Sequence, residues 1–292
     1  MSFILCLNST NVVSSSNTSF RYNFLTGNLK LKNAEMCIST LTMPYAFFNV
    51  SSYYSNKTFS ITFPTAASTA TPTAITASQP VAGITTLPDG FYSVTDIQNY
   101  IQQTCINNGW YLVDGAGNYV FYTYLTYNAT YYSVQLVQSL VPTALPAGWS
   151  NPAGLTFNAV SRTPTLSLAA TGSISKILGF PAGVSYPAAP SATAYSYIGT
   201  LTPVGSTINS LVARCNIISN EVVIPSDILD GFPINATFGS NITYEPSFEK
   251  WVTIRDGTYS SLTFTISDQN LNDVNSQDPN CSITLMIRQK KI

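Results

Sequence analysis

An antiparallel β-sandwich or jelly roll is the fold this sequence predicts, and three observations predict it. About a dozen short stretches alternate apolar with polar residues or are rich in β-branched and aromatic side chains. Long Pro-, Gly- and Ser-bearing loops separate them, with no repeat period of the kind that marks a propeller or solenoid. Only one stretch has the three- and four-residue spacing of a long amphipathic helix.

In chain order, Phe3–Leu7, Ser19–Phe24 and Asn28–Leu31 read as strands, followed by Glu35–Met43, which Pro44 ends. Tyr45–Val50 is an aromatic connection and Thr58–Phe63 a further strand. Pro64–Pro88, rich in Thr, Ala and Pro and without periodicity, is expected to be an extended surface loop that folding does not require.

The helix is expected over about 93–107. Pro88-Asp89-Gly90 makes a turn, Ser93 caps, Asp96 complements the N-terminal dipole, and Gly109 is suited to the left-handed residue after the end. Val94, Ile97, Ile101 and Cys105 form one stripe. That stripe needs an apolar partner, so the helix is expected on or beside the barrel, between Thr58–Phe63 and the tyrosine-rich segment.

Beyond it, Trp110–Val113 and Tyr119–Tyr124 flank the turn Asp114–Asn118, and Tyr131–Val137 completes a β-meander. Pro142–Pro164 reads as loop, Thr165–Leu168 as strand, Gly172–Pro181 as one helical turn stopped by glycine, and Gly183–Ala194 as loop. Ile208–Ile218 is strand-like and Pro225–Leu229 resembles a capped turn. Glu249–Ile254, Leu262–Ile266 and Ile283–Ile287 are strands, the last two with clean alternation, and Asp268–Asn280 between them is a polar loop.

The 292 residues suffice for one large all-β domain or two smaller ones, with no need of a disulfide or metal. Only 9% are charged and the net charge is −1, which provides no field for nucleic acid or an anionic membrane. Between Pro64 and Ala213 the acids and bases are only Asp89, Asp96, Asp114, Arg162 and Lys176. This middle is either a separate lobe, a face turned toward other protein copies, or simply a polar surface.

Histidine is absent, which removes Ser-His-Asp and Cys-His arrangements and most catalytic zinc sites. Cys6, Cys37, Cys105, Cys215 and Cys281 are dispersed, without a CxxC, and read as free thiols of a reducing compartment. The first residues are too short for a signal h-region, and no run approaches a membrane span.

Four groups invite a chemical reading. Asp268, Asp273 and Asp278 with Asn270, Asn272 and Asn275 could bind calcium, but the loop lacks EF-hand order and reads better as a solvated cap. Glu221, Asp227 and Asp230 could supply the paired carboxylates of a glycosidase, whereas capping and turn roles account for the two aspartates. Tyr119, Tyr122, Tyr124, Tyr127, Tyr131 and Tyr132 suit a carbohydrate-binding surface or, alternatively, cross-strand and subunit contacts. The tail Arg288-Gln289-Lys290-Lys291 is a solvated end or an inward-facing contact to nucleic acid. Gly115-Ala116-Gly117 precedes no helix and is not a phosphate loop. No catalytic, cofactor-binding or metal-binding residue is assigned.

Several blocks carry a family resemblance: Ile38–Val50, the Leu87–Ile101 turn and helix, Ile177-Leu178-Gly179-Phe180, and Val212–Asn216 through Tyr244-Glu245-Pro246 to Ile283–Ile287. In these pieces the chain resembles the penton (vertex) capsid proteins of virophages, Polinton-like viruses and related large DNA viruses. The resemblance implies a single jelly-roll capsid domain spanning 1–292, with a low-charge insertion or lobe at about 64–200. It also implies a structural, non-enzymatic role. Homopentamers would plug the five-fold vertices of an icosahedral shell built from a double jelly-roll major capsid protein, beside minor or cement proteins. Folding and assembly would take place in host cytoplasm, and the residence would be the virion. The rivals are a minor capsid or spike protein of the same viruses, a jelly-roll carbohydrate-binding module, and a carboxylate-pair glycosidase.

Overall fold

The computed structural model describes residues 2–13, 16–25, 27–64 and 84–290, which fold as two compact units. One comprises Met1–Phe48 with Ile208–Ile292, and the other Asn49–Thr207. The low-charge stretch lies within the second.

Eight strands, besides four of two or three residues, build the sandwich of the first unit among the described residues: β1 (Ser2–Asn8), β2 (Ser16–Asn23), β3 (Ala34–Pro44), β4 (Ser210–Cys215), β5 (Ile228–Pro233), β6 (Asn241–Tyr244), β7 (Ser261–Asp268) and β8 (Ser282–Gln289). One sheet has the order β1-β8-β3-β6 and the other β5-β4-β7-β2, all antiparallel. Pairs β1–β8, β2–β7, β3–β6 and β4–β5 nest inside one another, as when a long hairpin is rolled into two facing sheets. That strand order is a jelly roll.

Alternation dictates which faces meet. Leu5 and Leu7, Ile283, Leu285 and Ile287, and Ile242 are buried from the first sheet. Phe20, Leu211, Ala213, Leu229, Phe232, Leu262, Phe264 and Ile266 are buried from the second. In β3 the alternation changes phase. Thr284 faces Thr40 but Leu285 faces Ile38, so Ser39 is an extra residue and the strand bulges. The buried set accordingly shifts from Met36 and Ile38 to Leu41 and Met43.

The second unit has its own core. Helix α1 (Val94–Asn107) starts on a capping box: Ser93 Oγ accepts from the Asp96 N–H at 3.2 Å while Asp96 Oδ2 accepts from the Ser93 N–H at 2.8 Å. Gly109, at φ +71°, follows its end. The stripe Ile97, Ile101 and Cys105 is buried together with Phe59 and Ile61 of the Asn56–Thr62 strand, Phe63 just after it, and Leu125, Val134 and Leu136 of a hairpin. Trp110 stacks on Phe63, with centroids 5.4 Å apart. The expected neighbours of the helix are thus correct, but the apolar partner is supplied by residues 49–207 themselves and not by a barrel face. Asn49 ties this unit together: its buried amide donates to the Tyr92 and Gly205 carbonyls and accepts from the Tyr92 N–H.

Several expectations need correction. The meander is not sequential: Thr123–Asn128 and Ser133–Gln138 pair with each other and then with Tyr195–Ile198, which carried no strand signal of its own. Leu112–Val113 and Tyr119–Val120 form a separate small hairpin. The Pro64–Pro88 loop ends in a strand, Ile84–Thr86, paired with Asn56–Thr62, while its residues 65–83 lie outside those described. Val184–Tyr186, read as loop, pairs with Thr165–Leu168. Pro225–Leu229 is no helical turn, because Ile228 begins β5, and only Val252–Thr253 of Glu249–Ile254 is strand. The Gly172–Pro181 turn is present as α2 (Ser175–Leu178), closed by Gly179 at φ +69°.

A Cβ on Gly179 would collide with the Leu201 carbonyl as well as sit in a left-handed backbone. Gly179→Ala should therefore destabilise the Asn49–Thr207 unit by more than about 1 kcal/mol, and a denaturant melt unchanged from wild type would refute this packing. Hydrogen bonds from Ser93 lower the pKa of Asp96. The carboxylate thus stabilises the fold above its unfolded pKa of about 3.9, and that contribution is lost as pH falls through the lower folded value. Asp96→Asn should flatten the acid limb of a melt of the protein below pH about 4.

Candidate assembly surfaces

The jelly roll has two ends. Connections 24–33, 216–227 and 245–260 gather at one of them: Leu29–Leu31 pairs with Gly257–Tyr259, Ile218 bridges Ile254, and the Asn33 N–H donates to Asp256 Oδ1 at 2.7 Å. Large apolar side chains stand exposed at this end. Leu25 is 97% exposed, Val222 92%, Ile224 98% and Phe248 67%. Large apolar residues from three neighbouring connections mark an interaction surface more often than a free one. From the sequence, Val222-Val223-Ile224 is indistinguishable from buried strand, and only its exposure reveals it.

A second surface is the free edge of β1, which pairs only with β8. Its residues Ser2–Asn8 include no charge, and Ile4 and Cys6 face outward. Edges of this kind are normally protected by lysine, proline or a bulge, and β1 has none of these.

Several charged groups beside these surfaces are committed within the fold, while Lys30, Lys32, Glu221 and Glu245 stand exposed. Arg214 binds Asp227 Oδ2 through Nη2 at 2.7 Å and Nε at 3.1 Å. Asp230 accepts from Lys250 Nζ at 2.9 Å and from the Tyr244 hydroxyl. That bond to Asp230 raises the Lys250 pKa, while burial raises that of Tyr244. Arg288 and Glu35 are cross-strand partners 2.6 Å apart, and the guanidinium lies 3.7 Å from the centre of the Trp251 ring. Glu249 accepts from Trp251 Nε1 at 2.9 Å.

These pairings decide the chemical readings. Asp227 and Asp230 each neutralise a base, and Glu221 sits exposed on a loop, so no pair of carboxylates faces a common cleft. Asp268 holds its own turn by accepting from the Asn270 and Asn272 N–H groups at 2.8 and 2.9 Å, and Asp278 accepts from the Asn280 N–H. No three potential metal ligands come together among the described residues. Asp114 likewise caps the Gly115-Ala116-Gly117 turn. Arg288 and Gln289 belong to β8 rather than a tail, and Lys290 Nζ donates to Thr253 Oγ1 at 2.8 Å; Lys291 lies outside the described residues. The six tyrosines separate: Tyr122 is buried, Tyr119 stacks on Phe121, the Tyr124 hydroxyl accepts from the Phe121 N–H, and Tyr127, Tyr131 and Tyr132 stand exposed around one hairpin turn.

No family model matches this chain, and no curated protein does. Two solved structures align with nearly all of it. One is a mavirus penton protein, at 9% identity and a TM-score of 0.43, covering 99% of each chain. The other is a chain of the Sputnik virophage structure determined by cryo-EM, at 10% identity and a TM-score of 0.38, covering 99% of this chain and 98% of that one. Values this low leave the fold to be read from the strand order itself, and that order is unambiguous. No helix among the described residues is long and apolar enough to cross a membrane.

The cysteines provide a test of the packing. Burial pushes the thiols of Cys37 and Cys215 up to about 11 and those of Cys105 and Cys281 to about 12, while Cys6 is exposed. A thiol-specific reagent at pH about 8 should modify Cys6 alone in the native protein and all five after unfolding. Rapid native labelling of Cys37 or Cys215 would contradict the sheet packing.

Proposed function

We propose that this protein is a structural capsid component, a penton whose jelly roll closes into pentamers at the five-fold vertices of an icosahedral shell. Its work is assembly and no reaction is assigned to it. The single observation that carries the reading is the uncovered apolar end of the sandwich, at Leu25, Val222, Ile224 and Phe248. A jelly roll alone does not decide, since capsid proteins and lectins share it. A lone lectin domain gains nothing from exposing that much apolar surface beside an uncharged free strand edge. A subunit that buries both in neighbouring copies does.

On this reading the unit Asn49–Thr207 is a lobe carried by the connection between β3 and β4. The partners are four further copies, the double jelly-roll major capsid protein, and minor or cement proteins of the shell. The protein resides in the virion and assembles in host cytoplasm. Of the motifs that resemble penton proteins, Ile38–Pro44, Val212–Cys215 and Ile283–Ile287 lie in sandwich strands, while Leu87–Ile101 and Ile177–Phe180 belong to the Asn49–Thr207 unit.

Native mass measurement of the protein alone and co-expressed with its major capsid protein should reveal a five-fold assembly in at least the second case. Val222→Asp combined with Ile224→Asp should weaken assembly by about tenfold or more while leaving thermal unfolding within about 1 kcal/mol of wild type, because both side chains are solvent-exposed in the single chain. A chain that stays monomeric and never enters shells would sink the proposal, as would a double variant that assembles like wild type.

A further inference from the structure

The Asn49–Thr207 unit contains a pocket lined wholly by its own residues. It is open, has a volume of about 310 Å³, and is lined chiefly by Phe91, Tyr92, Tyr127, Tyr132, Ile177 and Pro203. We propose that it is a binding site for a neutral saccharide, a pyranose ring within a short oligosaccharide. This goes beyond the capsid reading and does not rest on it.

Three features specify that chemistry. First, no acid or base lines the pocket, and the surrounding unit is electrically balanced. Its bases are Lys57, Arg162 and Lys176 and its acids Asp89, Asp96 and Asp114, so three positive and three negative charges sum to zero. Each acid is already committed: Asp89 to Lys57 at 2.9 Å, Asp96 to its own helix cap, and Asp114 to its turn. A cationic ligand would find no free carboxylate, and the nearest uncommitted base, Lys176, adjoins Ile177 but does not line the pocket. Second, Tyr127 and Tyr132 meet edge to face, with centroids 6.1 Å apart and planes at 82°, and form an aromatic corner. They are 49% and 64% exposed, and neither hydroxyl has a hydrogen-bond partner among the described residues. Ring faces and unpaired hydroxyls together suit a ligand with both apolar C–H faces and hydroxyls. Third, the pocket lies at the small end of the range for small-molecule sites, enough for one or two sugar rings.

The backbone adds an independent argument. The hairpin between Thr123–Asn128 and Ser133–Gln138 turns through four residues, and Tyr132 occupies its left-handed position at φ +48°. Glycine, asparagine or aspartate is the comfortable choice there, and an aromatic residue costs roughly 1 kcal/mol. Strain retained at an exposed turn, by a residue whose ring lines a pocket, is what a functional constraint produces. The opposite wall is fixed from behind, because buried Asn49 bonds the backbone of both Tyr92 and Gly205, and each of these residues borders the pocket. The pocket is therefore preorganised on one side and presented by a strained turn on the other.

The test is titration of the full-length protein with a panel of neutral, sialylated and sulfated oligosaccharides and a proline-rich peptide, read by calorimetry and ligand-observed NMR. Selective binding of one or a few neutral glycans is expected. Tyr127→Ala and Tyr132→Ala should each weaken it by about tenfold or more, and Tyr119→Ala, an exposed tyrosine elsewhere, should leave it unchanged. Tyr132→Gly is the decisive variant: it relieves the backbone and should keep wild-type thermal stability while losing the ligand. The proposal is overturned if no neutral glycan binds at millimolar concentration, or if binding survives Tyr132→Gly. Preference for charged glycans, or for the proline-rich peptide that aromatic grooves also accept, would overturn it equally. None of these readouts depends on assembly, so failure here leaves the capsid reading standing, and the reverse holds too.

Discussion

Everything in the jelly roll depends on β8 taking its place between β1 and β3. It is hydrogen-bonded along both edges, to Ser2–Asn8 on one side and to Ala34–Pro44 on the other. Its inward residues Ile283, Leu285 and Ile287 lie near the middle of the core. These pairings join residues far apart in sequence, so their closure entropy must be offset before the sheet contributes anything. The same logarithmic dependence on loop length explains how the connection from β3 to β4 can carry a whole second unit. Lengthening an already long loop adds little, provided that the insertion buries its own apolar groups. It does so through the α1 stripe and the facing strands.

What could be read from the sequence follows from the same physics. β7 and β8 were legible because they pack one face inward and present the other to solvent, which writes a period of two into Leu262–Ile266 and Ile283–Ile287. The helix was legible because its cap, stripe and terminating glycine agree. β6 was not, since a four-residue strand that buries only Ile242 leaves too little alternation to detect. β5 was misread as a turn because Pro225-Ser226-Asp227 is good turn chemistry directly before a strand. In β3 the bulge at Ser39 conceals the alternation by shifting its phase midway.

The functional surfaces were legible in a different and poorer way. Absence of histidine and scarcity of charge pointed away from catalysis. The structure adds that much of the charge is spent internally, as in Arg214–Asp227, Lys250–Asp230, Arg288–Glu35 and Lys57–Asp89. What remains for contact with other molecules is chiefly hydroxyl, amide and apolar surface, with a few exposed charges such as Lys30, Lys32, Lys176 and Glu221. An exposed Val222-Val223-Ile224 looks the same on paper as a core strand, and a tyrosine at a hairpin tip looks the same as one in the middle of a sheet. Composition alone cannot assign either, because exposure is a property of the fold.

A neutral recognition unit also has a kinetic consequence. With net zero charge on Asn49–Thr207, no long-range field draws a ligand in, and encounter relies on diffusion and short-range contact. A pocket of about 310 Å³ with two stacking rings gives modest affinity for a single sugar site. If the jelly roll closes into a ring as proposed, copies in that ring would display the same pocket at fixed spacing, and engagement of a second site would become intramolecular. Adhesion of such a ring to a neutral glycan surface would arise from geometry rather than from any one contact. That would give a physical reason for an apolar-ended jelly roll and a net-neutral insertion to occur in one chain.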